Sequence, residues 1–262
     1  MQTEAEKYFT PREATVIAAS RFVTDGDVIV VGQGLPVLVA LFAKRNHARN
    51  CVIMQEYGVV DTNPPYAVEL AHPLLAESAT YLCDMLEALT TLLYMADCAF
   101  LGAAQIDKYG NVNTTAIGDY FRPKVRISGS GGANDIGSLA PKFVVVMDKQ
   151  SPSKFPEFVD YNTTPGFFRG SRGERKRLGL PGEGPEAVVT DLAVYGFSKK
   201  TGEMYVDSLQ PGATIKRVRN ETGWKIKTAR TIKRVVPPSL EEVSLLRAID
   251  TRGVYLRNIH GN

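Results

Sequence analysis

Asp27-Val28-Ile29-Val30-Val31-Gly32-Gln33-Gly34-Leu35-Pro36 is the stretch on which the fold turns. A continuous β-branched run without polar alternation describes a strand buried on both faces, and such strands belong to parallel sheets. Gly32-Gln33-Gly34 ends the run, and Pro36 introduces a helix that reads through Leu41 and Phe42 to Lys44. Cys51-Val52-Ile53-Met54 is again strand-like. Strand, glycine turn, helix and strand make a βαβ unit, which predicts an α/β fold with an open, mainly parallel sheet and helices on both faces.

Outward from this unit, Thr10-Pro11-Arg12-Glu13 is a capping box with proline at the first helical position, opening a helix read to about Val23. Further strands are expected at Ala99–Gly102, Phe143–Met147 and Ala187–Thr190. A helix over Leu240–Ile249, opened by Pro237-Pro238-Ser239, closes the pattern. Between Ser151 and Gly184 proline, glycine, arginine and lysine dominate, which describes a long surface excursion within one domain spanning 1–262. No internal repeat interrupts this reading.

The chain has 262 residues, 44% hydrophobic and 23% charged, enough for one substantial core. Its net charge of +3 is spread among acidic residues, which argues against a nucleic-acid-binding stripe. The first twenty residues are too polar for a signal peptide and no run approaches a membrane span, so a cytoplasmic protein is expected. Cys51, Cys83 and Cys98 form no CxxC and read as buried reduced thiols. With His47, His72 and His260 as the histidines, no metal-ligand cluster is visible.

Four stretches can carry chemistry. Glu56, followed by Tyr57-Gly58, lies just past the second strand of the βαβ unit, where an open sheet faces its ligand crevice; the alternative is a solvated or salt-bridged strand-end carboxylate. Gly32-Gln33-Gly34 with Glu56 also suggests a dinucleotide site, but the third glycine of GxGxxG falls at Val37 and Pro36 removes a backbone donor. In Gly129–Asp135 a run of small residues lets backbone N–H groups approach a ligand oxygen, with a tight turn as the plainer reading. Gln105 and Asn113 flank a turn at Asp107–Gly110 and offer exposed amides. Finally Arg169, Arg172, Arg175, Lys176 and Arg177 suit phosphate, although a solvated loop or subunit contact is the favoured reading.

Seven segments, in one order over nearly the whole chain, together resemble the β subunit of the glutaconate CoA-transferase type of family I coenzyme A transferases. They are VVGQGLP, VIMQEYGVVDTNP, GAAQIDKYGNVNTTAIGDY, RISGSGGANDI, YNTTPGF, GERKRLGLPGEGP and VVTDLAVYGF. The resemblance implies that Glu56 is the nucleophile and forms a glutamyl-CoA thioester in a ping-pong cycle. It also implies that Gly32, Gly34, Gly131, Gly132, Ala133 and Asn134 supply the oxyanion and CoA-binding groups. Tyr57, Gly58, Gln105 and Asn113 become substrate-pocket candidates, and Tyr57 stands where a small residue is usual in the glutaconate enzymes. Coenzyme A is then a co-substrate, with no permanent cofactor or metal. The expected partner is a CoA-transferase α subunit, in a heterodimer or α2β2 heterotetramer, with Tyr66, Tyr81 and Phe121 as contact or core residues. Related folds leave open an acyl-CoA hydrolase, a decarboxylase or a non-catalytic ligand-sensing module.

Overall fold

The capping box forms in both directions: Thr10 Oγ1 accepts from the Glu13 N–H at 3.2 Å, and Glu13 Oε2 accepts from the Thr10 N–H at 2.7 Å. Helix α1 (Pro11–Ser20) is shorter than expected, because the Ser20 hydroxyl turns back onto the Ile17 carbonyl and the next residues leave as turns. The computed structural model describes residues 8–69, 71–170 and 172–257; residues 1–7, where the reading of the N-terminus begins, and His260 lie outside the described residues.

β1 (Val28–Val31), α2 (Leu35–Asn46) and β2 (Val52–Gln55) complete the βαβ unit. β3 (Val59–Val60), α3 (Pro73–Glu77), β4 (Tyr81–Leu82), α4 (Met85–Leu89) and a 3₁₀ turn over Leu92–Met95 lead to β5 (Cys98–Leu101). Two small hairpin sheets come next, β6 (Gln105–Ile106) with β7 (Val112–Asn113) and β8 (Ala116–Gly118) with β9 (Pro123–Arg126). Then follow α5 (Ala133–Leu139), β10 (Phe143–Val146), α6 (Arg172–Arg177) and β11 (Pro185–Val189). β12 (Ala193–Phe197), β13 (Met204–Leu209), α7 (Ile215–Asn220), β14 (Lys227–Arg234) and α8 (Leu240–Ile249) finish the fold.

The main sheet has ten strands in the order β14-β13-β12-β11-β10-β5-β1-β2-β3-β4. Its central five, β11 to β2, are all parallel; antiparallel pairs flank them on both sides. Alternation along the strands divides the core. Ile29, Val31, Ile53, Phe100 and Val144 face α1, α2 and α8, whereas Val30, Met54, Ala99, Leu101 and Val145 face the opposite layer. That second layer is built from short helices and loops, with Leu89 of α4, Ile136 of α5 and Val218 of α7. Helices therefore cover both faces, unequally.

The 151–184 segment departs from a surface excursion. Phe155, Thr164 and Phe167 are fully buried, and so is Arg175, 2% exposed. Among the described residues Arg175 has no carboxylate partner; its guanidinium donates to the carbonyls of Pro165, Gly166, Gly182 and Gly137 at 2.6–3.4 Å. Burial pulls its pKa down to about 10, so it remains a cation at neutral pH. The basic run is thus not uniformly solvated: one of its arginines bolts the segment to α5.

Cys51 and Cys98 are buried and Cys83 is partly buried, all unpaired, with burial pushing the first two up to about 11 and about 12. Among the described residues, no helix is long and apolar enough to cross a membrane and no group of three His, Cys, Asp or Glu side chains is placed to hold a metal ion.

Candidate active site

β1, β2 and β5 end side by side, and their carboxyl ends set the site. After β1, the Gly32 N–H donates to the Phe100 carbonyl of β5 at 2.9 Å, drawing the Gly32-Gln33-Gly34 turn across the sheet end. After β2, a turn over Gln55–Gly58 closes with the Gly58 N–H on the Gln55 carbonyl at 3.0 Å. Gly58 takes φ +97°, and a Cβ there would meet the Cys83 carbonyl oxygen at 2.0 Å, so only glycine fits. The turn sends its two central side chains apart. Glu56 points to the loop before α5, and Tyr57 joins the small apolar cluster of Val59, Val68 and Leu75.

The Glu56 carboxylate rests on the glycine loop. The Gly132 N–H donates to Oε2 at 2.9 Å. A Cβ on Gly132 would lie 2.8 Å from that oxygen and 2.6 Å from Leu89 Cδ2, and one on Gly131 would lie 3.5 Å from Oε2. Two side-chain-free residues are what this close approach requires. Burial raises the Glu56 pKa above the usual glutamate value, opposed by the Gly132 N–H and by the nearby Gln33 side-chain amide. A carboxylate that is partly desolvated, yet held by a backbone donor, is a stronger nucleophile than one in water.

Backbone donors remain for charge that develops in a reaction. Among the described residues, the N–H groups of Gly34 and Gly131 make no hydrogen bond, while that of Gly32 is committed to Phe100. Gly34 carries φ +86° at the head of α2, next to Gln33. Asn134, at the start of α5, uses its side-chain N–H on the Thr163 carbonyl at 2.8 Å and its backbone N–H on Ser130 Oγ at 3.1 Å, so it braces the loop. Ala133 precedes it, its N–H donating to the Ser130 carbonyl.

Gln105 and Asn113 are buried rather than exposed. Asn113 Nδ2 donates to Gln105 Oε1 at 2.8 Å and to the Ala116 carbonyl at 2.7 Å, while its Oδ1 accepts from the N–H groups of Thr115 and Ala116. Gln105 Nε2 donates to Asp160 Oδ2 at 3.0 Å. Both amides are saturated within the chain, and the structure brings them to each other instead of to Glu56. For Tyr57, burial pushes the phenol up to about 12. Two residues at the site escape sequence reasoning, Gln33 and Leu89. Gln33 carries a faint signal, a polar side chain between two strand-end glycines, but Leu89 carries none.

Comparison with known proteins places the chain in a family. The family model described as Coenzyme A transferase matches residues 12–221. The B subunit of 3-oxoadipate CoA-transferase from Pseudomonas knackmussii is 36% identical over 247 residues, 93% of this chain and 94% of that protein. The B subunit of glutaconate CoA-transferase from Acidaminococcus fermentans is 36% identical over 242 residues, 87% of this chain and 88% of its own. A crystal structure of that glutaconate coenzyme A-transferase superposes with a TM-score of 0.88 at 33% identity, covering 95% of this chain and 98% of the other. The decarboxylase AibA/AibB shares the fold, with a TM-score of 0.79 at 21% identity over 94% of this chain and 97% of that one.

Proposed function

Since this chain belongs to the coenzyme A transferase family, as a relative of the B subunits, we propose that it is the subunit that carries the nucleophile, and that Glu56 moves CoA from an acyl-CoA to a free carboxylic acid. The observation that carries the reading is the Glu56 carboxylate, lifted in pKa by burial and seated on the Gly132 N–H at the carboxyl end of β2.

The chemistry follows from that seat. A Glu56 oxygen attacks the thioester carbonyl carbon, the carbon–sulfur bond breaks, and CoA leaves as thiolate, giving an acyl-glutamyl anhydride. The thiolate then attacks Glu56 Cδ, expelling the first carboxylate and leaving a glutamyl-CoA thioester. An incoming carboxylate attacks the same Cδ and releases thiolate, which takes the new acyl group and frees Glu56. Each tetrahedral state bears an oxyanion; Gly132, already on Oε2, serves those centred on Cδ, and the free N–H groups of Gly34 and Gly131 are further donors. No proton need be delivered, because thiolate leaves without one.

The partner is a CoA-transferase α subunit, since both relatives above are named as B subunits. Both act on dicarboxylic acyl groups by name, so a dicarboxylic acid is the favoured acceptor class. The test is to co-express the chain with its partner, add acyl-CoA, reduce with borohydride and sequence the peptide around residue 56 by mass spectrometry. Conversion of Glu56 to the corresponding alcohol is expected; an unmodified Glu56 in an active complex would remove the mechanism.

A further inference from the structure

The hairpin of β8 and β9 stands out from the rest of the surface in composition and in place. Its tip and second strand read Asp119-Tyr120-Phe121-Arg122-Pro123-Lys124-Val125-Arg126. The two-residue period of β9 puts Lys124 and Arg126 on one side and Val125 on the other, and Arg122 sits in the bend just before the strand. Among the described residues none of these three cations has an ion-pair partner, although all are exposed. Asp119, the carboxylate at the tip, accepts from the backbone N–H groups of Phe121 and Arg122 at 2.9 Å. Gly118, at φ +84°, leaves room for the Lys124 stem, whose Cγ would be 3.3 Å from a Cβ there.

The same face is aromatic. Tyr120 stacks on Tyr161 with ring centroids 5.0 Å apart, and the Arg126 guanidinium lies 4.9 Å from the Tyr120 centroid while donating to the Tyr120 carbonyl at 2.6 Å. Phe121, edge-on to Tyr120, is 87% exposed, with its ring open to a second planar group. Unpaired cations beside an open aromatic ring suit a ligand that combines phosphates with a heteroaromatic base.

The hairpin also runs into the Glu56 site. Beyond β9 the Ile127 N–H donates to the Thr115 carbonyl and the Gly129 N–H to the Thr114 carbonyl, both at 3.0 Å, and the chain then reaches Gly132 on Glu56. Arg126 and Gly132 are six positions apart in the chain, so their Cα atoms lie at most about 20 Å apart. That bound keeps the end of β9 within the span of the extended pantetheine arm that divides the sulfur of CoA from its nucleotide.

We infer that the β8–β9 hairpin holds the phosphoadenosine diphosphate end of coenzyme A, with Arg122 and Lys124 on its phosphates and Phe121 under its adenine. The inference rests on CoA being the co-substrate at Glu56, and it assigns to this chain the anchor that sets thioester affinity. It is tested by calorimetric titration of the full chain, co-expressed with its α partner, with CoA, phosphoadenosine diphosphate and pantetheine. The double variant Arg122→Ala/Lys124→Ala is compared with the unchanged protein. Among the described residues neither side chain has a hydrogen-bond partner, so the thermal midpoint should not move.

The variant should bind CoA and the free nucleotide at least roughly tenfold more weakly, as the loss of a charge-assisted contact requires. Pantetheine binding should be unaltered. Phe121→Ala should weaken the nucleotide without altering the salt dependence of its binding. Equal affinity of variant and unchanged protein for the nucleotide would overturn the inference, as would loss of the α partner from the variant, which would make the hairpin a protein contact. Hairpin-dependent CoA binding without a CoA adduct on Glu56 would instead remove the transferase chemistry and leave this site standing.

Discussion

In the proposed reaction, burial of Glu56 and its role as a carboxylate pull against each other. Its pKa is raised, so the folded protein binds the proton more tightly than the unfolded chain does. The stability contributed by this group is complete below the unfolded value near 4.5 and is lost as pH rises through the higher folded value. Glu56→Gln, which cannot ionise, should therefore melt higher than the unchanged protein at neutral pH, with the gap closing below about pH 4.5 in a pH series of thermal melts. The proposed transfer needs the carboxylate, so the rate should fall on the acid side through a pKa above 4.5, and Glu56→Gln should abolish exchange at every pH. An acid limb at or below the ordinary glutamate value would contradict the desolvated seat. Gly132→Ala tests the same seat sterically. Its Cβ would lie 2.8 Å from Glu56 Oε2 and 2.6 Å from Leu89 Cδ2, so kcat should drop by roughly 10²–10³, as for a lost oxyanion donor, while the complex still assembles.

Among the elements, those legible in the sequence carry their cause locally. α1 and α8 each have a capping box, and the run Val28–Val31 can only be a buried strand. Elements whose cause is tertiary were not legible. β3 and β4 are two residues each, and β14, Lys-Thr-Ala-Arg-Thr-Ile-Lys-Arg, resembles a solvated loop until β13 pairs with it. The site divides the same way. Glu56 and the glycine loop were readable because strand-end position and small residues are local facts, whereas the Gln105–Asn113 pair closes only when β6 meets β7. Arg175 is the sharpest case. Within a run of cations nothing marks one as buried, since its acceptors come from Gly137, Pro165, Gly166 and Gly182. Arg175→Met would strand those carbonyls in the interior, and at about 1–3 kcal/mol for each unsatisfied group it should cost at least about 3 kcal/mol. A urea titration should show the midpoint moved down with the m-value unchanged. A shift under about 0.5 kcal/mol, typical of a surface site, would return the whole run to solvent.

The whole molecule presents two sheet edges that are managed differently. At one, β14 carries Lys227, Arg230, Lys233 and Arg234, and charge of this density discourages strand addition. At the other, β4 offers Tyr81 and Leu82, both exposed, and the chain continues into Met85, Leu86, Tyr94 and Met95, which are 57–73% exposed. An apolar edge left open beside α4 is a liability for a solitary chain and an expected feature of a subunit. It also adjoins the reaction, because Leu89 of α4 is the side chain that a Cβ on Gly132 would strike. A partner seated there would cover the mouth of the Glu56 crevice and exclude the water that would otherwise hydrolyse a glutamyl-CoA thioester. Leu86→Asp, at a position 73% exposed, separates folding from assembly. The isolated chain should keep its thermal midpoint within the ±0.5 kcal/mol or so usual for a surface change. The same variant should fail to co-purify with the α subunit and should lose transfer activity, whereas retention of a normal complex would place the partner on another face.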